Sequence, residues 1–116
     1  MTIDKSKLLA LRSTPAESVD LPTGDKLYFR ATSAGQRIDV FGDMADGKRT
    51  VRDNSLAMNH LIIACACDAD GSAVFGAADF DALLALPSDL WEAMSQAAIK
   101  ANGLNKGAAA EAEKNS

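Results

Sequence analysis

Apolar and polar positions along the chain divide it into short segments separated by turn residues. Ile3 to Leu11 reads as a short helix, with Asp4 near its positive end and Leu8 and Leu11 on one side with Ile3 or the stem of Lys7. Thr14-Pro15 ends it, because the residue before proline is pushed out of the helical region. Two extended runs, Glu17 to Leu21 and Lys26 to Arg30, flank Pro22-Thr-Gly-Asp25 and predict a β-hairpin. Ser33-x-x-Gln36 has the spacing of a capping box and predicts a helix through Ile38 and Phe41. Met44 to Lys48, with Asp46-Gly47 inside it, reads as a break.

From about Thr50 a longer helix is expected, with Val51, Leu56, Leu61, Met58 and Ile62 as candidate core. Its end is open: the run Leu61 to Cys67 continues the helix or switches to a strand. A switch near Ile63 is favoured, because Asp68-Ala-Asp-Gly71 is a turn signal and Ala73-Val-Phe75 follows as a returning strand. Asp79 to Leu86 predicts a short helix with acidic residues in its first turn. Ser88 is expected to cap the last helix, where Leu90, Met94, Ala97 and Ala101 form one stripe and Trp91 and Ala98 widen it. Gly103 suits the left-handed position that closes a helix, with Leu104 folding back as the accompanying apolar contact. The pattern therefore predicts one α+β domain, predominantly helical, with about four to five helices and one or two short β-hairpins. It extends over residues 1–106, and residues 107–116 form a flexible tail with no apolar stripe to anchor it.

Composition sharpens this reading. At 47% hydrophobic and 24% charged the chain is globular rather than disordered, but only 5% is aromatic. The core must come mainly from aliphatic residues and alanine, so a lone monomer is expected to be modestly stable and self-association is a natural supplement. Charge is uneven: residues 1–52 carry +2 and residues 53–116 carry −6. An acidic second half is a poor surface for phosphate backbones and argues against nucleic acid. Leu8 to Leu11 is too short an apolar run for a secretory signal, and Leu61 to Cys67 falls far below the roughly 20 residues that span a bilayer. A cytoplasmic protein with reduced thiols is expected, without membrane attachment.

Motifs for chemistry are weak. Cys65-x-Cys67 lacks the four ligands of a structural zinc site, and His60 is the only other soft candidate. The spacing is not that of redox dithiols either, so the pair reads as two small buried apolar residues. Asp68-x-Asp70-x-Ser72 resembles the start of a calcium loop. However, Ala73 stands where that loop needs glycine, and Asp79 stands in place of the final glutamate, so a turn is expected. His60 with Asp53 and Ser55 matches no nucleophile motif, and neither a phosphate loop nor a dinucleotide fingerprint is present. No catalytic, metal or cofactor site is expected, and the protein is not expected to be an enzyme. Trp91 has two readings: a core anchor packing on Leu83 and Leu86, or a partly exposed hot spot. With so few aromatics, the best candidates for contacting a partner are Leu83, Leu86, Leu90, Trp91 and Met94.

Taken in order, several of these segments resemble the tail assembly chaperones of long-tailed bacteriophages. The resemblance runs from Leu27-Tyr-Phe-Arg30 and Ser33-Ala-Gly-Gln-Arg37 through the Asp68–Gly71 turn into Val74-Phe75. It continues through Asp79-Phe-Asp-Ala-Leu83 to Asn102-Gly-Leu104, and covers roughly residues 26–116. It implies a non-enzymatic assembly factor, present in the host cytoplasm and absent from the virion. Such a factor binds the tape measure protein, keeps it soluble and self-associates. It also implies a longer product, made by ribosomal frameshifting, that engages the tail tube protein. Glu113-Lys114-Asn115 is compatible with the slippery heptamer A-AAA-AAC in the required phase. On this reading Trp91→Ala or Met94→Glu weakens client binding. The competing expectations are a structural tail component, such as a tube or completion protein, and a small cytoplasmic protein-binding module.

Overall fold

The computed structural model describes residues 2–41 and 50–103. The expected break from Met44 to Lys48, the Leu104 contact and the tail with Glu113, Lys114 and Asn115 lie outside the described residues.

The first helix, α1 (Lys5–Leu9), begins where the Asp4 carboxylate accepts the Lys7 N–H at 3.2 Å, and it buries none of its residues. The hairpin follows as expected: β1 (Glu17–Asp20) pairs antiparallel with β2 (Lys26–Phe29), with Val19 opposite Leu27. Its turn closes through Leu21 N–H to the Asp25 carbonyl at 2.8 Å, and Gly24 adopts φ +93°, a conformation costly for any residue with a Cβ. Alternation along β2 buries Leu27 and Phe29 on one face. In α2 (Ala34–Phe41) the Ser33–Gln36 box forms reciprocally: Gln36 accepts the Ser33 N–H at 3.0 Å and Ser33 Oγ accepts the Gln36 N–H at 3.2 Å.

The long helix α3 (Val51–Cys65) opens on a second such box, between Thr50 and Asp53. It runs to Cys65, two residues beyond the switch expected near Ile63. Helical bonding persists that far, with Ala66 N–H still donating to the Ile62 carbonyl, because Leu61, Ile62 and Cys65 all bury on the helix side facing the core. The strand that remains, β3 (Ala66–Cys67), pairs antiparallel with β2 to give the sheet order β1-β2-β3. The expected returning strand at Ala73 to Phe75 is also shorter, reduced to a bridge between Cys67 and Ala73 and a Val74 N–H bond to the Ala66 carbonyl. A 3₁₀ turn starting at Ala77 leaves it no length to pair.

That turn (Ala77–Asp79) leads into α4 (Phe80–Leu84), and α5 (Ser88–Ala101) completes the described fold. Ser88 is not the cap. Pro87 occupies that position with extended backbone, and its carbonyl accepts the Trp91 N–H at 3.0 Å, so Ser88 is already helical. Proline loses nothing there, since a helix start needs no N–H from it. Gly103 closes α5 at φ +71°, as its position implies. The described residues thus form an α+β fold, predominantly helical, with five α-helices and one three-stranded antiparallel sheet. Helix α5 packs against α3 and lies across β1 and β2, enclosing Phe29, Leu61, Ile62 and Met94 as the largest fully buried apolar side chains. No helix among the described residues is long and apolar enough to cross a membrane.

Candidate functional site

Four of the five apolar residues singled out above come together. Helix α4 is one and a half turns long, and its last turn tightens through Ala85 N–H to Ala82 and Leu86 N–H to Leu83 before Pro87 redirects the chain. This corner sets Leu83 and Leu86 beside Leu90 and Met94 of α5, facing Leu21 and Leu27 of the hairpin. Between them lies an open groove of about 270 Å³, closed at one side by Phe75 and walled by the exposed Ala82. Thr23 and Asp79 are its polar lining residues. The Asp79 carboxylate also accepts the Gly76 N–H at 2.8 Å, which fixes the start of the 3₁₀ turn and so the position of α4.

Trp91 is elsewhere. One residue along a helix rotates a side chain by about 100°, and that step from Leu90 turns the indole away from the groove. Trp91 lines a second cleft with Phe41, Met58, Ser95 and Ile99, and its Nε1–H donates to Asn59 Oδ1 at 3.0 Å. It is half-buried and packed against the core in this second cleft, so it does not join Leu83 and Leu86 in the groove. Met94 is 1% exposed, so Met94→Glu would bury a charge and report on folding rather than on binding.

Two asparagines, whose contacts were not expected from the sequence, position these helices. Asn59 is fully buried; its Nδ2 donates to the Phe80 carbonyl at 3.0 Å while its Oδ1 takes the Trp91 indole proton, tying α3 to both α4 and α5. Asn102, at the end of α5, accepts from Thr32 N–H (2.9 Å) and Thr32 Oγ1 (3.2 Å), and its Nδ2 donates to the Ala98 carbonyl and to Cys65 Sγ. A polar residue on the buried stripe of α3, three before Ile62, was a usable signal for Asn59. Asn102 was marked only as the end of the last helix, and nothing local announced its bonds to Thr32 and Cys65.

The motifs weighed for chemistry serve structure. Both thiols are buried and free, and burial pushes each above the ordinary thiol value, with the Asn102 contact at Cys65 and the charge of Arg30 pulling more weakly the other way. Asp68 Oδ1 accepts the N–H groups of Asp70 and Ser72 at 3.1 and 3.0 Å, the arrangement of a tight turn. Hydrogen bonding with the Asp68 side chain, and then with Ser72, holds the Asp70 carboxyl below its ordinary range. The exposed His60 ring rests on Phe80 with centroids 4.5 Å apart, while Asp53 is committed to the cap of α3. Among the described residues no three His, Cys, Asp or Glu side chains gather to hold a metal ion.

The observed class is a small α+β domain whose final two helices and hairpin enclose an apolar groove. No protein-family model matches the sequence, and no curated protein matches it. Among solved structures, the chain is similar to the tail assembly chaperone of bacteriophage HK97, with a TM-score of 0.57 and 21% sequence identity. The superposition covers 85% of this chain and 95% of that chain, so nearly the whole of that protein's fold is present here.

Proposed function

We propose that this protein is a phage tail assembly chaperone, acting by binding without turnover. The observation that carries the proposal is the fold shared with the HK97 chaperone over 95% of that chain. The groove of α4, α5 and the hairpin supplies the physical means. It offers apolar lining to side chains projecting from a helical client, and its two helices belong to the half of the chain whose net charge of −6 helps keep the complex dispersed. The client on this reading is the tape measure protein, whose apolar faces are covered until tail tube subunits are recruited. The protein then works in the host cytoplasm and is left out of the particle. A frameshifted longer form, read through Glu113, Lys114 and Asn115, carries the contact to the tube protein. The nucleotide sequence of those codons tests that part by itself.

The binding claim is tested by co-expressing a tape measure protein from the same genome with this chain. Wild-type protein is expected to raise the client's soluble fraction severalfold, and Ala82→Arg, at an exposed wall of the groove, to abolish the effect. Equal rescue by both would overturn the groove as the client site. No rescue by wild type would overturn the chaperone reading. Mass spectrometry of purified particles separates it from a structural tail component, which would be present there.

A further inference from the structure

Two arginines share an open pocket at the end of the hairpin away from the groove. The pocket encloses about 790 Å³ and is lined by Leu11 and Arg12 of the N-terminal arm, by Arg30 and Thr32 just past β2, and by Ser33 and Gln36 at the start of α2. It shares no lining residue with the groove. Arg12 is exposed, and two carbonyls hold it: its Nη1 donates to Leu9 at 3.1 Å and to Leu11 at 2.8 Å, which leaves Nε and Nη2 of the fork to other acceptors. Arg30 is half-buried, and its backbone N–H donates to the Cys65 carbonyl at 3.0 Å. Among the described residues no carboxylate pairs with either guanidinium, in a chain that holds 16 Asp and Glu.

That arrangement is costly as it stands. A half-buried cation has given up part of its hydration, and a second cation on the same pocket raises its energy further. One anion relieves both. The hydroxyl and amide side chains around the pocket are already engaged: Ser13 donates to the Ala31 carbonyl, Thr32 to Asn102, and Ser33 and Gln36 serve the cap of α2. The two guanidinium groups are therefore the donors that remain for a ligand, and the positive end of α2 on the same wall adds to their pull. A guanidinium fork matches carboxylate and phosphate alike. Two forks favour the anion with more oxygens, because a phosphate has enough for both arginines and a single carboxylate does not. The volume falls within the range of small-molecule sites, about 300–1,000 Å³.

We infer that this pocket binds a small molecule carrying a phosphate or diphosphate group, with Arg12 and Arg30 as its cationic ligands. Arg12 belongs to the arm and Arg30 to the chain leaving the sheet, so the ligand ties one to the other. Ser13 Oγ, donating to the Ala31 carbonyl at 2.6 Å, already tethers the arm there, while α1 buries none of its residues. Binding thus sets how the exposed Leu8, Leu9 and Leu11 are presented. The site stands apart from the groove and does not rest on the functional reading.

Titration of the full chain with inorganic pyrophosphate tests the site, against sodium chloride at matched ionic strength so that general screening is subtracted. Two charge-assisted contacts predict a Kd of about 1 mM or tighter by calorimetry, together with slower amide exchange across residues 5–12. Arg12→Gln and Arg30→Gln should each weaken binding by at least about tenfold. Pyrophosphate that binds no better than chloride overturns the proposal. So does full-strength binding by either variant, which would put the anion elsewhere. A glutamate-rich peptide that binds more tightly than pyrophosphate would give the pocket to an acidic protein segment and overturn the phosphate assignment as well. Arg12 is exposed, so its variant should keep the fold, which circular dichroism checks. Should Arg30→Gln lose helix, Arg12→Gln decides the matter alone.

Discussion

Replacing Asn59 with leucine keeps the branched four-atom outline of the side chain, with two bulkier methyl groups in place of the amide, while deleting both hydrogen bonds that join α3 to the groove-forming helices. Asn59 is fully buried, and its partners are the Phe80 carbonyl and the Trp91 indole, each at 3.0 Å. A neutral hydrogen bond contributes about 1 kcal/mol net, and a partner stranded out of water costs about 1–3 kcal/mol more. Trp91 is half-buried, so water recovers part of its share. The expected loss is about 2–4 kcal/mol, a large fraction of the roughly 5–15 kcal/mol that holds a domain together. In urea, with m of roughly 1–2 kcal/mol/M, the midpoint should fall by about 1–4 M at unchanged m. Because Trp91 is the sole tryptophan and is itself to be varied, far-ultraviolet circular dichroism is the better probe. Trp91→Phe supplies the control: in the wild type it strands Asn59 Oδ1, whereas in Asn59→Leu it removes a proton that already lacks an acceptor. The double-mutant cycle should show coupling of about 1–2 kcal/mol. A cost below about 1 kcal/mol for Asn59→Leu, or additive effects in the cycle, would refute the assignment of this network as the clasp of α3, α4 and α5.

Asn102→Ala should destabilise the fold by about 1–3 kcal/mol, because it leaves Thr32 N–H and Cys65 Sγ without their partner; thermal unfolding measures it, and a loss under about 0.5 kcal/mol contradicts it. Gly71→Ala should cost about 1–2 kcal/mol from backbone strain alone, since φ is +91° and the added Cβ would meet only Pro15 Cδ at 4.0 Å; unfolding in urea checks the value. The thiols impose a pH dependence with a definite sign. Burial raises both above the ordinary 9.0, so the folded state holds these protons more tightly than the unfolded chain. Their contribution is fully present below the ordinary value and is lost as pH rises through the raised one. Urea midpoints should therefore decline above about pH 9, and less steeply in Cys67→Ala; parallel declines in both proteins would contradict the assignment.

What the sequence made legible was mostly local. Ser33 and Gln36, Thr50 and Asp53, and Asp4 with Lys7 satisfy one another across three residues, so a helix start is written where they stand. Turn glycines such as Gly24, Gly71 and Gly103 announce themselves because other residues resist a positive φ. The end of α3 was not legible. Leu61 to Cys67 is apolar at every position, so it carries neither the helical nor the strand period, and packing against β2 decides where the strand begins. The split within the candidate site was hidden for a related reason. Leu90 and Trp91 are neighbouring apolar residues, and only the packing of α3, α4 and the hairpin around α5 sends one to the groove and the other to Asn59. Apart from the Asn102 bond to Ala98, the bonds of Asn59 and Asn102 join residues 21 to 70 positions apart, and no local pattern encodes them.

Amide hydrogen exchange of this protein bound to its client, set against the free protein, bears most directly on the claim that the groove is where a tail protein binds. Client binding should slow exchange at the residues on either side of the groove, 21–27 and 79–94. Protection confined to the Phe41 and Met58 cleft, or to the outer surface of α2, would place the client elsewhere and contradict the account.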